Sequence, residues 1–158
     1  MKTIFRLGVL VVLAGVLAGC SHLWTPPKPT LIFGPPVVEG GHGKIVVSVA
    51  NMPRDGVGAI GVEFGGISYP AAKMGDFRVK GLNGFEVLAW DFHDGEGGFV
   101  AVSTTAMEYG PIAVIEFEAE GAISPAEIGI DASKISLASA HNTLIEGFEI
   151  SRPAYYAR

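Results

Sequence analysis

Residues 112–119 read IAVIEFEA, and from Ala113 onward an apolar side chain stands at every second position, with Glu116 and Glu118 between Ile115, Phe117 and Ala119. A period of two puts alternate side chains on opposite faces of an extended chain, so this segment predicts a strand with one face in a core and the other in water. The same period returns in 44–50, KIVVSVA, where Ile45, Val47 and Val49 oppose Lys44, Val46 and Ser48. In 58–64 it sets Ile60, Val62 and Phe64 against Glu63, and in 86–92 it groups Leu88, Trp90 and Phe92. The run 99–105, FVAVSTT, is rich in β-branched Val and Thr, and shorter runs occupy 127–130, 135–137 and 144–150. Between them lie Pro-Arg-Asp-Gly, Leu-Asn-Gly, Asp-Gly-Glu-Gly-Gly and Tyr-Gly-Pro, whose glycines supply positive φ and whose prolines fix φ in turns. Helical periodicity is nearly absent. One turn is expected over 69–74, and another at Ser124-Pro125-Ala126-Glu127, where Ser124 can cap, Pro125 opens the turn and Glu127 reaches back. Strands at this spacing over residues 30–150 predict an all-β fold, an antiparallel β-sandwich.

One motif points elsewhere. Residues 56–61, GVGAIG, match the glycine spacing of a dinucleotide-binding turn. That chemistry needs a helix opening at the third glycine, so that the pyrophosphate meets the helix N-terminus. The chain continues instead as VEFGGISYP, a strand pattern closed by a proline. Gly56 and Gly58 are therefore read as a loop and the start of a strand that neighbours approach closely.

The N-terminus sets Lys2 and Arg6 before an apolar run over 7–17 and small residues before Cys20. This is the layout of an export signal, too short to span a bilayer comfortably. Leu17-Ala18-Gly19-Cys20 resembles the bacterial lipobox, which implies cleavage after residue 19 and lipid attachment at Cys20. An ordinary signal peptide that happens to hold a cysteine is the alternative. Cys20 is the only cysteine, so no disulfide forms within one chain, and an acylated thiol accounts for its presence in an exported protein. The expected organisation is a signal peptide at 1–19, a lipidated cysteine and Pro-rich spacer at 20–29, a sandwich at 30–150 and a tail at 151–158. The location follows as the bacterial envelope, with the domain held to the membrane by lipid.

Over the whole chain 16 carboxylates outnumber 11 Lys and Arg, for a net charge of −5. Removing Lys2 and Arg6 with the leader makes the remainder more acidic. An acidic chain without a basic cluster excludes nucleic acid as a partner. For metal, the run DFHDGEGG offers Asp91, His93, Asp94 and Glu96 as donors to calcium. Its spacing misses the EF-hand, and Asp-Gly is in any case a hairpin turn, so Asp91, Asp94 and Glu96 are weak candidates and no metal or other cofactor is expected. The four histidines lack helical pair spacing for zinc. No Gly-x-Ser-x-Gly elbow occurs, and Glu63, Glu116 and Glu118 fall on solvent-side strand positions, which argues against an enzyme. Trp90, sharing an alternation face with Leu88 and Phe92, is expected in the core rather than on a sugar-stacking platform.

The order of features is similar to a known family. Val38-Glu39-Gly40, the strand at 44–51, the Gly-x-x-x-hydrophobic run at 56–64, Tyr69-Pro70-Ala71-Ala72, the strand at 111–119, Ile128-Gly129-Ile130 and a closing hairpin near Leu144 resemble a cohesin domain. The likeness covers roughly residues 30–150. It implies the nine-stranded jelly-roll sandwich that cohesins share with related carbohydrate-binding modules, and a non-catalytic binding module. Cohesins often carry an aspartate after the tyrosine where this chain has Pro70. The leading expectation is recognition of a dockerin-like protein through one sheet face, with Glu63, Glu116 and Glu118 as contact residues. A carbohydrate-binding module with a polysaccharide ligand, and an envelope structural lipoprotein without a soluble ligand, are the alternatives.

Overall fold

The computed structural model describes residues 26–152. The leader, Cys20 and Trp24 lie outside them, as do residues 153–158 of the tail. Eleven strands fall in the described chain: β1 (Thr30–Phe33), β2 (Val37–Glu39), β3 (His42–Ala50), β4 (Val57–Ser68), β5 (Met74–Gly81), β6 (Phe85–His93), β7 (Glu96–Met107), β8 (Gly110–Ala119), β9 (Gly129–Ile130), β10 (Ile135–Ser139) and β11 (Glu149–Ser151). One sheet runs β11-β1-β3-β8-β5, with β2 also paired to β3; the other runs β10-β4-β7-β6, with β9 also paired to β4. All pairs are antiparallel except β1 with β11, which join the two ends of the domain in parallel. The fold is an all-β sandwich, as the alternation predicts, in the jelly-roll form that the resemblance implies. The two short additions, β2 and β9, raise the strand number from the expected nine to eleven.

Alternation positions the core. Ile45, Val47 and Val49 of β3 and Ala113, Ile115 and Phe117 of β8 are buried from one sheet; Ile60 and Val62 of β4 and Phe99 and Ala101 of β7 meet them from the other. The two sheets are closed together by an aromatic group in which Phe77 of β5 stacks on Phe92 of β6 with ring centroids 4.5 Å apart, and Tyr69 tilts against Phe77 at 4.5 Å. Such pairs add about 0.5–1.5 kcal/mol each beyond the area that they bury.

The turns follow their residue types. Asp94 and Gly95, at φ 52° and 83°, close the two-residue hairpin between β6 and β7, the right-twisted turn that Asp-Gly favours. Gly58 could carry no side chain, because a Cβ there would lie 2.5 Å from Ala140 Cα. GVGAIG is thus a strand entry pressed against its neighbours, with no helix after it. The turn expected over 69–74 forms at residues 70–74, with Met74 N–H donating to Pro70 O. Ser124 caps the 3-10 turn Pro125–Glu127, accepting from Ala126 N–H while Glu127 accepts from Ser124 N–H.

Several sequence expectations are corrected, and bulges or chain ends account for them. Leu88, Trp90 and Phe92 do not share one buried face: Leu88 is 60% exposed and Trp90 49%. The register slips between Val87 and Ala89, so Leu88 is an extra residue that reverses the alternation at that point. Trp90 falls opposite buried Phe99, but β6 is an edge strand, which leaves the indole half-exposed. Phe64, expected beside Ile60 and Val62, is 40% exposed because the β4–β7 register breaks between Val62 and Ile67. β5 was hidden by a similar irregularity at Asp76 (φ 47°). The run 144–150 is not a continuous strand: Leu144 makes an isolated bridge to Ala138, and β11 begins only at Glu149.

Candidate recognition surface

The two sheets present different outer faces. On the six-stranded sheet the outward row Val37–Lys44–Glu116–Arg78 runs across four strands, beside the row Glu39–His42–Glu118–Gly75. Lys80 Nζ lies 2.7 Å from Glu116 Oε2, half-exposed, a pairing of the kind that contributes about 0–1 kcal/mol. A groove of about 780 Å³ follows these rows where β5 bulges, lined by Glu39, His42, Lys44, Asp76, Arg78 and Glu118 among others. It is charged with both signs.

The five-stranded sheet is apolar along the middle of its outer face. Its outward rows are Ala138–Ala59–Val102–Glu86 and Ser136–Gly61–Val100–Ala89. The residues inward of them, Ile60, Val62, Phe99 and Ala101, are at most 3% exposed, so Val100 and Val102 necessarily face out. Val100 is 40% exposed and the bulged Leu88 stands beside it. Small side chains on β4 keep the middle of the face level. A contiguous exposed apolar area on a sheet face is what a protein contact covers.

One end of this face is shaped by β4. Its residues 63–66 bulge over Gly98, where an added Cβ would come within 2.4–2.7 Å of the Val62 and Glu63 carbonyl groups. From the bulge Phe64 stacks on His93 with centroids 4.4 Å apart. The His93 ring is in turn bonded to Asp91, Nδ1 to Oδ1 2.9 Å. That bond, and the negative charges of Asp91, Asp94 and Glu96, raise the His93 pKa above the ordinary imidazole value, against a smaller opposing effect of burial.

The structure divides the expected contact residues. Glu63 lies in the bulge of the five-stranded sheet, and Glu116 and Glu118 lie on the six-stranded one, so a partner on one face meets only part of the set. Asp91, Asp94 and Glu96 surround one hairpin, yet among the described residues no three acidic, histidine or cysteine side chains converge as metal ligands. Sequence reasoning gave Val100 and Val102 no role and set Leu88 on a core face with Trp90 and Phe92. The signal available was FVAVSTT, in which both alternating sets are apolar, Phe99 and Ala101 on one side and Val100 and Val102 on the other. A strand apolar on both sides in a two-layer sandwich implies something to cover the second side.

No protein-family model and no curated protein matches the chain in sequence. Solved structures do. The sixth cohesin of Acetivibrio cellulolyticus scaffoldin B, solved in complex with a dockerin, superposes with a TM-score of 0.54 at 14% identity, over 80% of this chain and 99% of that one. A cohesin module from the family 33 glycoside hydrolase of Clostridium perfringens gives 0.53 at 10% identity, over 82% and 100%. At such identities the likeness is one of architecture, and the architecture of this chain is the cohesin jelly roll.

Proposed function

We propose that the chain is a non-catalytic protein-recognition module, held on a bacterial envelope by lipid at Cys20, which captures a dockerin-type partner on the outer face of β10-β4-β7-β6. The observation that carries this reading is that level apolar face, exposed around Val100 and Leu88 on a sheet whose other side is already fully used by the core. The dockerin bound to the similar scaffoldin cohesin supports the partner class. The lipid anchor rests on the LAGC motif. A sugar-stacking platform is less favoured, because the exposed aromatics do not align: Trp90 belongs to the inward row of an edge strand, Phe64 is stacked on His93, and Tyr109 sits in the turn before β8.

The test is capture of a panel of dockerin modules by the full chain and by two variants. Val100→Glu places a charge at the centre of the face and should weaken capture at least tenfold, since a desolvated and unpaired charge at an interface costs on the order of 3 kcal/mol. Lys44→Glu, on the other sheet, should leave it within about twofold. If Val100→Glu binds as the parent does, or if no dockerin is captured, the reading is wrong.

A further inference from the structure

Lysine and arginine are distributed unequally between the sheets. Strands of the six-stranded sheet carry Lys44, Arg78 and Lys80 alongside their acids, whereas β4, β6, β7, β9 and β10 carry Glu63, Glu86, Asp91 and Glu96 and not one Lys or Arg. These four acids do not lie in the middle of the apolar face. Glu86 ends the row through Ala59 and Val102, Asp91 and Glu96 lie toward the β6–β7 hairpin, and Glu63 projects from the β4 bulge at the same end. All four are exposed, and among the described residues none is in an ion pair with Lys or Arg, although Asp91 is bonded to His93. Lys134 reaches this end of the sheet, its Nζ donating to Phe64 O at 3.4 Å and bordering Gly65 together with Glu96 Oε2.

Resting on the recognition reading above, we infer that the partner presents an apolar contact flanked by basic side chains, so that the acidic margin of the five-stranded sheet selects it against an apolar surface flanked by acids. The physical reason is asymmetry of cost. An apolar face accepts any flat apolar surface, and discrimination must come from its rim. Carboxylates that no Lys or Arg pairs repel an acidic partner and attract a basic one, and through their summed field they speed encounter in a salt-dependent way. The charged rows of the six-stranded sheet, with both signs interleaved, carry no such bias.

The experiment uses two designed helical hairpins of one backbone and one apolar stripe, flanked in one by lysines and in the other by glutamates. Binding is measured to the full chain in nanodiscs of neutral lipid, with empty nanodiscs subtracted. The lysine probe should bind at least tenfold more tightly than the glutamate probe at about 50 mM salt, and the difference should shrink several-fold at 500 mM. The triple variant Glu63→Lys, Glu86→Lys, Asp91→Lys should reverse the preference, and Val100→Glu should weaken both probes. Equal binding of the two probes, no binding of either, or a preference that survives the triple reversal overturns the inference. If Val100→Glu still abolishes binding when the charges prove indifferent, the recognition face stands and only the basic partner falls. If the charges matter and Val100→Glu does not, attraction lies off the sheet and the inference fails with its premise.

Discussion

Gly98→Ala tests whether the β4 bulge is fixed by what lies beneath it. A methyl at this position would meet Val62 O at 2.4 Å, Glu63 O at 2.6 Å and Glu63 C at 2.7 Å. All three are backbone atoms, so no side-chain rotation relieves the overlap, and β4 must lift from β7 by more than half an ångström. Overpacking commonly costs about 1–3 kcal/mol, and a contact with backbone belongs at the upper end. About 3 kcal/mol in a domain of this size lowers the unfolding midpoint by roughly 10 °C. Gly75→Ala is the internal standard, because nothing lies within 4 Å of its Cβ and its φ is not positive. Loss of unfolded-state freedom there should stabilise by about 0.4–1 kcal/mol. Scanning calorimetry on the two variants and the parent measures the pair, and the ring-current shift of the His93 protons reports whether Phe64 has left its stacking position. If Gly98→Ala melts within about 2 °C of the parent with His93 unshifted, the bulge is not held by contact over Gly98.

Other outcomes follow from the same geometry. Phe99→Ala removes a side chain only 2% exposed and should cost about 3–5 kcal/mol in denaturant unfolding, against under 1 kcal/mol for Tyr109→Ala, 78% exposed. Ser124→Ala should cost about 1 kcal/mol by opening the capping box. The His93–Asp91 bond favours charged imidazole, so its stabilisation is complete below the ordinary value of 6.5 and is lost as pH rises through the elevated folded value. Asp91→Asn should bring the His93 titration, followed by NMR, back down, and an unchanged midpoint would remove Asp91 as the cause. Glu127 and Asp131 shift the other way, held low chiefly by Lys73 and by Ser133 respectively, so what they contribute is present above the ordinary carboxylate range and fades as pH falls through their depressed values. Cys20→Ser should release the protein from the membrane fraction, and full retention with unchanged leader processing would refute lipid attachment.

The sequence by itself determined the fold class, because strand alternation is a local property: in KIVVSVA and in the run from Ala113 to Phe117 each residue's face follows from its neighbours two positions away, and the buried set came out as read. The Ser124 cap and the Asp94-Gly95 hairpin were legible for the same reason, since each depends on three or four consecutive residues. Tertiary structure alone decided where alternation is interrupted. The bulges at Leu88, at residues 63–66 and at Asp76 are defined by how many residues of one strand oppose one of another, a count that no single strand contains. Those slips move Leu88 and Phe64 into solvent, and the edge position of β6 leaves Trp90 there. Pairing across the sheets likewise separated Glu63 from Glu116 and Glu118, and it assembled Val100, Val102, Ala59 and Gly61 from strands about forty residues apart into one level face. Side chains that each looked like ordinary strand residues became a surface only through the register that aligned them.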